Sequence, residues 1–321
     1  MLKMHAIVVS KPGGPEQLKY TTVPTPTLRP GWTLVKVQAF SINHSEIFTR
    51  QGLSPNVTFP RILGIDVVGT VVETTSVKFF PEQKVISIMG EMGRAFNGSY
   101  AEYVLIPNEQ LYPLETKLSF IEAACVSEAY YTAFGSLKNL KLKANDNVLI
   151  RAATSGVGIA FARLAKARFT DLSLSGSTRS LTKVDALLAE GFETIILDQE
   201  NKLKTNQKFD KILELIGPAT IKDSFSHLSS EGIVCSTGQL GGKWYLEDFD
   251  PIVDLAPNSY LTSFYSGNVS EQALSELFAY IDKHQVNVTP TKVFPLTQVE
   301  AAHRYLESNK SFGKVVITVS D

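Results

Sequence analysis

The chain has 321 residues, 44% of them hydrophobic and 20% charged, and its 31 basic and 32 acidic side chains leave a formal net charge of -1. That length can bury a substantial core in two domains or one large one, and so even a charge balance gives no global field for nucleic acid or an anionic membrane. Two cysteines, Cys125 and Cys235, are too few for a disulfide framework or a four-cysteine zinc lobe, no run of about 18 apolar residues is there to span a bilayer, and Gly and Pro interrupt the first residues before a signal-peptide core develops, so a cytoplasmic protein is expected.

Up to about residue 120 the chain reads as strands punctuated by Gly and Pro. HAIVVS, TLVKVQAFSI, VVGTVVET, QKVISIM and SYAEYVLIP are rich in β-branched residues and partly alternating, with turn clusters such as KPGGPE and PTPTLRPG between them. A β-rich, barrel-like domain is expected, with one short helix over HSEIFTRQG after Asn43, stopping at Gly52. The loop GEMGRAFNG, residues 90 to 98, is expected to be solvated, with Arg94 and Phe96 as conceivable substrate contacts. From about Ser119 the rhythm changes. SFIEAACVSEAYYTAFGSLKNL predicts one or two helices, and NVLIR, DLSLSG, TIILD, KILELI and GIVCST then alternate as strands with helical segments. That alternation predicts a doubly wound parallel sheet. Two more helices, EQALSELFAYIDKH and QVEAAHRYLES, precede a last strand, GKVVITV. This strand has two possible homes, the nucleotide sheet or the N-terminal domain.

NVLIR is an almost unbroken apolar run, as a strand covered on both faces should be. The turn after it, Ala152 to Gly158, is built of small residues that let the backbone approach a pyrophosphate, and a helix N-terminus follows with unpaired N–H groups. On that helix Val157, Phe161, Leu164 and Ala165 share a face for the sheet, while Arg163 and Lys166 are expected to face water. The turn is not a full GxGxxG: aligned on Gly158, it has Ala153 and Ser155 at the earlier two places. Roughly 20 residues on, where an acid would take the ribose 2′-hydroxyl, the chain reads Gly176-Ser177-Thr178-Arg179-Ser180, with Lys183 beyond. An acid repels a 2′-phosphate, whereas Arg179 and Lys183 can donate to it and neutralise it. NADPH is therefore the expected cofactor, against the plainer reading of two cations on a solvated helix start.

A catalytic zinc needs three ligands from Cys, His and Asp or Glu. His44, Glu46, Asp66 and Cys125 are the candidates in the relevant segments. His44 reads instead as a polar residue at a helix start, Asp66 as a strand or turn residue and Cys125 as a small buried hydrophobe, so no metal is expected.

The blocks KPGGPEQLKY, SINHSEIFTRQG, PRILGIDVVGTVVE, GSYAEYVLIP, AATSGVG, FDKILELIG and FGKVVI, in that order and spacing, resemble the zinc-independent quinone oxidoreductase branch of the medium-chain dehydrogenase/reductase superfamily, over essentially the whole chain. Zinc-dependent relatives carry a Cys in the segment matching SINHSE and a GHE-type triplet at Gly64-Ile65-Asp66; here Asn43 and Ile65 stand in those places. The resemblance implies an α/β fold in which a GroES-like barrel domain, residues 1–122 and 266–321, flanks a Rossmann domain, residues 123–265, with the active site in the cleft between them. It places the phosphate turn at Thr154, Ser155, Gly156 and Val157, and the 2′-phosphate pocket at Thr178, Arg179 and Lys183. Ribose and nicotinamide contacts fall at Ile216, Thr237, Gly238, Phe264 and Tyr265, and Asn43, Tyr130 and Lys314 face the cleft. A homodimer is implied.

Without a metal, hydride transfer favours conjugated acceptors such as quinones or enones, whose negative charge spreads onto oxygen, over simple alcohol or ketone couples. The protein then mainly holds two flat rings in near-attack contact. A hydrogen-bond donor to the developing enolate adds about 3 kcal/mol. Asn43 and Tyr130 are candidates for it; the plainer alternatives are Asn43 capping the helix that follows and Tyr130 packing as aromatic core. An enoyl or alkenal/one reductase, and a non-catalytic NADPH-binding sensor or structural protein, are the competing readings.

Overall fold

Residues 2–319 are described by the structure, a computed structural model. The first elements follow the apolar runs and the turn clusters between them. β1 (Lys3–Val9) pairs antiparallel with β2 (Lys19–Pro24), Lys3 opposite Pro24 and Val8 opposite Lys19. Next come β3 (Trp32–Ser41), α1 (His44–Arg50), β4 (Arg61–Ile62), β5 (Asp66–Thr74), β6 (Lys84–Ile88), β7 (Tyr103–Pro107), β8 (Tyr112–Pro113) and α2 (Phe120–Leu140). α2 is one continuous helix despite Gly135 in its interior. A Cβ there would lie 2.0 Å from the Phe264 ring, so the glycine makes room for an aromatic neighbour.

The alternating part then runs β9 (Asn147–Arg151), α3 (Gly156–Arg168), β10 (Ser173–Thr178), α4 (Val184–Ala189), β11 (Thr194–Gln199), β12 (Lys202–Leu203), β13 (Phe209–Glu214), α5 (Ile221–Ser226), β14 (Leu228–Ser236), α6 (Pro251–Asp254) and β15 (Tyr260–Ser263). Their sheet has the order β12-β11-β10-β9-β13-β14-β15, parallel except for β12. The order reverses at β9, the switch point beside which a doubly wound sheet leaves a crevice at its carboxyl ends. Val148, Leu149 and Ile150 are wholly buried, as the apolar run required.

α7 (Glu271–His284), β16 (Lys292–Pro295), α8 (Val299–Glu307) and β17 (Val315–Thr318) complete the chain. β17 settles the question of its home: it pairs antiparallel with β3, Val316 opposite Ser41, in the sheet β16-β17-β3-β5-β6-β8. The chain divides into two units, Met1–Ala129 with Gly267–Phe278 and Val288–Asp321, and Tyr130–Ser266 with Ala279–Asn287, so the divisions fall inside α2 and α7. The barrel unit has its own core, with Val35, Val37, Phe40, Val71 and Ile317 among its members. Leu149, Phe209, Ile212 and Val234 belong to a core cluster of the parallel-sheet unit.

One expectation about α3 is corrected. Arg163 does not face water: it makes a two-pronged ion pair with Glu190, at 2.8 and 2.7 Å, and both side chains are mostly covered. Lys166 folds back to the Leu172 carbonyl at 3.0 Å and to Glu193 at 2.9 Å. The Arg163 and Lys166 side of the helix is covered by the turn after α4, which supplies Glu190 and Glu193, and by Leu172 just before β10.

Candidate functional site

The turn between β9 and α3 has the shape of a phosphate cradle. Ser155 is the N-cap of α3 and its hydroxyl accepts from the Gly158 N–H at 3.1 Å. The N–H groups of Gly156 and Val157, in the first turn, have no acceptor within the helix and join the partial positive charge of the helix start. At Gly158 a Cβ would sit 2.6 Å from the Ala153 carbonyl oxygen, so only glycine lets strand and helix approach this closely. Ala152 takes φ +63, a conformation glycine adopts more readily. The Ala152 N–H is held by the Ser177 hydroxyl at 3.1 Å and the Ala153 N–H by the Ser177 carbonyl at 3.0 Å, which ties the turn to β10. Thr154 lies in this turn, half-buried.

β10 ends at Thr178. Its hydroxyl is spent locally, donating to the Ser180 carbonyl at 3.1 Å and accepting from the Ser180 N–H at 3.3 Å. Arg179 is exposed and Lys183 half-buried. The Lys183 ammonium is held below its usual pKa by burial and then by the Arg179 charge, so the two cations feel one another at this strand end. Two neighbouring cations suit a doubly charged anion.

The loops after β13 and β14 are shaped by Glu214. Its Oε1 accepts from the N–H groups of Ile216 and Gly217 at 2.8 and 3.0 Å, and its carbonyl from Thr237 and Gly238 at 2.9 and 3.2 Å. Glu214 is wholly buried. Burial raises its carboxyl above the usual range, and Arg151 foremost among its partners opposes this. Arg151, also wholly buried, grips Asp198 through Nε at 2.7 Å and Nη2 at 3.1 Å, and reaches Asp223 at 2.9 Å. Burial disfavours its charge, but the Asp198 hydrogen bond and the three carboxylates outweigh that and hold it fully charged. Sequence reasoning missed this network, although a lone cation closing an apolar strand was a visible signal. Phe264 packs near Tyr131 and Gly135, whereas Tyr265 is exposed.

In the same unit Tyr130 is 1% exposed, and its hydroxyl donates to the Asn287 carbonyl at 2.9 Å while Arg163 approaches at 3.4 Å. The hydroxyl is thus engaged inside the packed unit.

Asn43 and Lys314 lie in the barrel unit, in a buried polar cluster. Asn43 caps α1 in a capping box with Glu46. Its Nδ2 donates to Glu46 Oε1 at 3.3 Å and to Asp66 Oδ2 at 3.2 Å, and its Oδ1 accepts from the Lys314 ammonium, which also donates to the Ile42 carbonyl at 3.2 Å. Asp66 takes the Ser41 N–H at 2.7 Å and the Ser41 hydroxyl. Burial, then the Asp66 charge, push the Glu46 carboxyl up to about 8, with Lys314 opposing. The donor set does not fit a zinc ion: an ammonium already occupies the amide oxygen, Ile65 offers no ligand, and among the described residues no group of three or more His, Cys, Asp and Glu could hold a metal ion. His44 starts α1 and Cys125 is a buried free thiol in α2.

In loop 90–98, Arg94 donates to the Ser45 hydroxyl at 2.5 Å, and Phe96 packs edge-on against Trp32.

Comparison with known proteins gives matches over both units. Residues 29–116 match the alcohol dehydrogenase GroES-like domain family and residues 161–317 the zinc-binding dehydrogenase family. The quinone oxidoreductase of Lama guanicoe is 28% identical over 341 residues, covering 98% of this chain and 97% of that one. The zinc-type alcohol dehydrogenase-like protein C337.11 of Schizosaccharomyces pombe is 30% identical over 220 residues, which covers 67% of this chain but only 64% of the relative's own length. Among solved structures, the quinone oxidoreductase from Coxiella burnetii superposes with a TM-score of 0.84 at 26% identity, covering 99% of this chain and 100% of that one.

Proposed function

This chain belongs to the quinone oxidoreductase branch of the medium-chain dehydrogenase/reductase superfamily and is an oxidoreductase enzyme, and from that premise we propose that it uses NADPH to reduce quinones or related conjugated carbonyls, without zinc, as a cytoplasmic homodimer. The observation that carries the cofactor choice is the pair of cations, Arg179 and Lys183, at the end of β10, where an acid would select the unphosphorylated ribose. The substrate class is supported by the relatives' names and by the chemistry of the barrel cluster, which offers the Asn43 amide N–H as a hydrogen-bond donor, its oxygen being taken by the Lys314 ammonium.

NADPH, when bound, supplies a hydride. The chain's own part starts at the turn, where the N–H groups of Gly156 and Val157 and the α3 dipole take the pyrophosphate while Arg179 and Lys183 take the 2′-phosphate. The loops fixed by Glu214 present Ile216, Thr237 and Gly238 to the ribose and nicotinamide side, with Phe264 and Tyr265 beyond. Lys314 can only donate, so it fixes which way the Asn43 amide points and aims Nδ2 at Glu46 and Asp66. At neutral pH Glu46 is protonated and is the weaker acceptor of the two. The 3.3 Å bond to Glu46 is the one a substrate oxygen displaces, and through it Asn43 stabilises the charge that develops on that oxygen.

The test is NADPH oxidation by the purified protein over a panel of quinones and enones. Turnover with quinones and slow turnover with NADH is the expected result. Enone reduction alone would move the assignment to an alkenal/one reductase. Cofactor fluorescence changes without oxidation of any acceptor would refute the proposed activity.

A further inference from the structure

The barrel unit holds a second concave site that plays no part in the reaction proposed above. A cavity of about 360 Å³ is lined by Arg29, Trp32, Arg61, Phe96, Asn97 and Tyr103, among others, and by no carboxylate. Its volume is at the lower end of the roughly 300–1,000 Å³ typical of small-molecule pockets. Two of its walls are aromatic: Trp32 and Phe96 meet edge to face with centroids 5.1 Å apart. The Arg29 guanidinium lies 3.7 Å over the Trp32 ring, which leaves its N–H groups for a partner in or beside the cavity.

Arg61 is the less ordinary residue. Its Nη1 donates to Asn97 Oδ1 at 3.3 Å, but its Nε is buried without a hydrogen-bond partner. That N–H is closed off within the protein, so the outer edge of the guanidinium, Nη1 and Nη2, is what can meet a ligand in the cavity. Burial also pulls the Arg61 pKa down, as expected of a cation short of a counter-charge. A guanidinium fork matches a carboxylate in plane and spacing, and the aromatic walls suit a flat apolar ring. A bare phosphate would leave those walls unused.

We propose that this cavity binds a small aromatic carboxylate, its carboxyl group on Arg61, its ring against Trp32 and Phe96, and Arg29 closing the mouth. The inference stands on the cavity itself and is independent of the hydride-transfer reading.

The chain has two tryptophans, Trp32 and Trp244, so an indole N–H spectrum of the full-length protein carries two signals, which Trp244→Phe assigns. Titration with 2-naphthoate should shift the Trp32 signal saturably and leave that of Trp244 in place. The neutral isostere 2-naphthamide and inorganic phosphate should each bind at least tenfold more weakly. Arg61→Gln and Arg29→Gln should each weaken 2-naphthoate at least fivefold while NADPH oxidation is unchanged. Arg29 is exposed, so its variant keeps the test open if Arg61→Gln does not fold. Equal binding of 2-naphthamide or phosphate, an unmoved Trp32 signal, or full affinity in Arg29→Gln would overturn the proposal.

Discussion

On the proposed use of NADPH, removing the two cations at the end of β10 should leave a protein that scarcely distinguishes NADPH from NADH. Arg179 is exposed, so its contact with a 2′-phosphate is worth about 1 kcal/mol, as for other solvent-facing ion pairs. Lys183 is half-buried, and a charge-assisted bond there is worth about 1.5 kcal/mol. The double variant Arg179→Ala/Lys183→Ala should therefore lose about 2.5 kcal/mol, roughly 60-fold in NADPH affinity at about 1.4 kcal/mol per decade. NADH affinity should change by less than twofold. Isothermal calorimetry of both cofactors at two salt concentrations is the assay, and the NADPH preference should shrink at high salt because the site is open to solvent. If the unaltered protein holds NADH as tightly as NADPH, or the double variant weakens both equally, the phosphate-recognition argument is refuted.

Asn43→Ala should lower turnover at least tenfold and leave NADPH affinity within twofold, since its bonds lie in the barrel cluster; steady-state kinetics with unchanged kcat would remove it from the reaction. Ala152→Gly should be neutral to stabilising by about 0.5 kcal/mol, because relief of the φ +63 backbone slightly exceeds the extra freedom glycine has in the unfolded chain; a lower Tm in calorimetry would contradict this. Glu46 has a folded pKa of about 8, above its usual 4.5, so the folded state holds a proton the unfolded chain has lost. Its contribution should be full below about 4.5 and fall as pH rises to about 8, and Glu46→Gln should flatten that part of a denaturant-melt profile. His303 works in the opposite sense. Burial and then the Arg50 charge hold it down at about 3, so stability should be lost as pH falls from 6.5 towards 3, and His303→Gln should remove that loss.

The parallel-sheet unit was legible because its signals are local. An uninterrupted apolar strand, a small-residue turn and an amphipathic helix are each written in consecutive residues, and β9, the turn and α3 stand where NVLIR-AATSGVG put them. The short edge strands were not legible. β4, β8 and β12 have two residues each, too few for any period to show. The partner of β17 was beyond a pattern reading too, since an apolar strand reports that it is covered and not by what. Arg163 shows the same limit on a helix: its position on the polar face was right, but Glu190, 27 residues on, covers it.

The cluster around Asn43 was half-visible for a related reason. In zinc-dependent relatives the places of Asn43 and Ile65 carry ligands to a doubly charged ion; substitution of both was plain in the sequence and argued against a metal. What the sequence did not show is how the two carboxyl groups of this cluster, Glu46 and Asp66, are accommodated in burial. Two buried carboxylates demand two positive charges. Lys314 brings one, arriving from β17's end of the chain 271 residues away, and the proton that Glu46 retains at neutral pH is the other. Half of that positive charge is a titratable proton held close to the amide that faces the substrate oxygen in the proposed reaction. Glu46→Gln keeps that neutral form at every pH, so it should leave turnover near neutrality within about twofold while removing any loss of activity that wild type shows above pH 8. A variant that loses activity at pH 7 as well would mean that the ionised carboxylate, and not the proton, is what the cluster is built to hold.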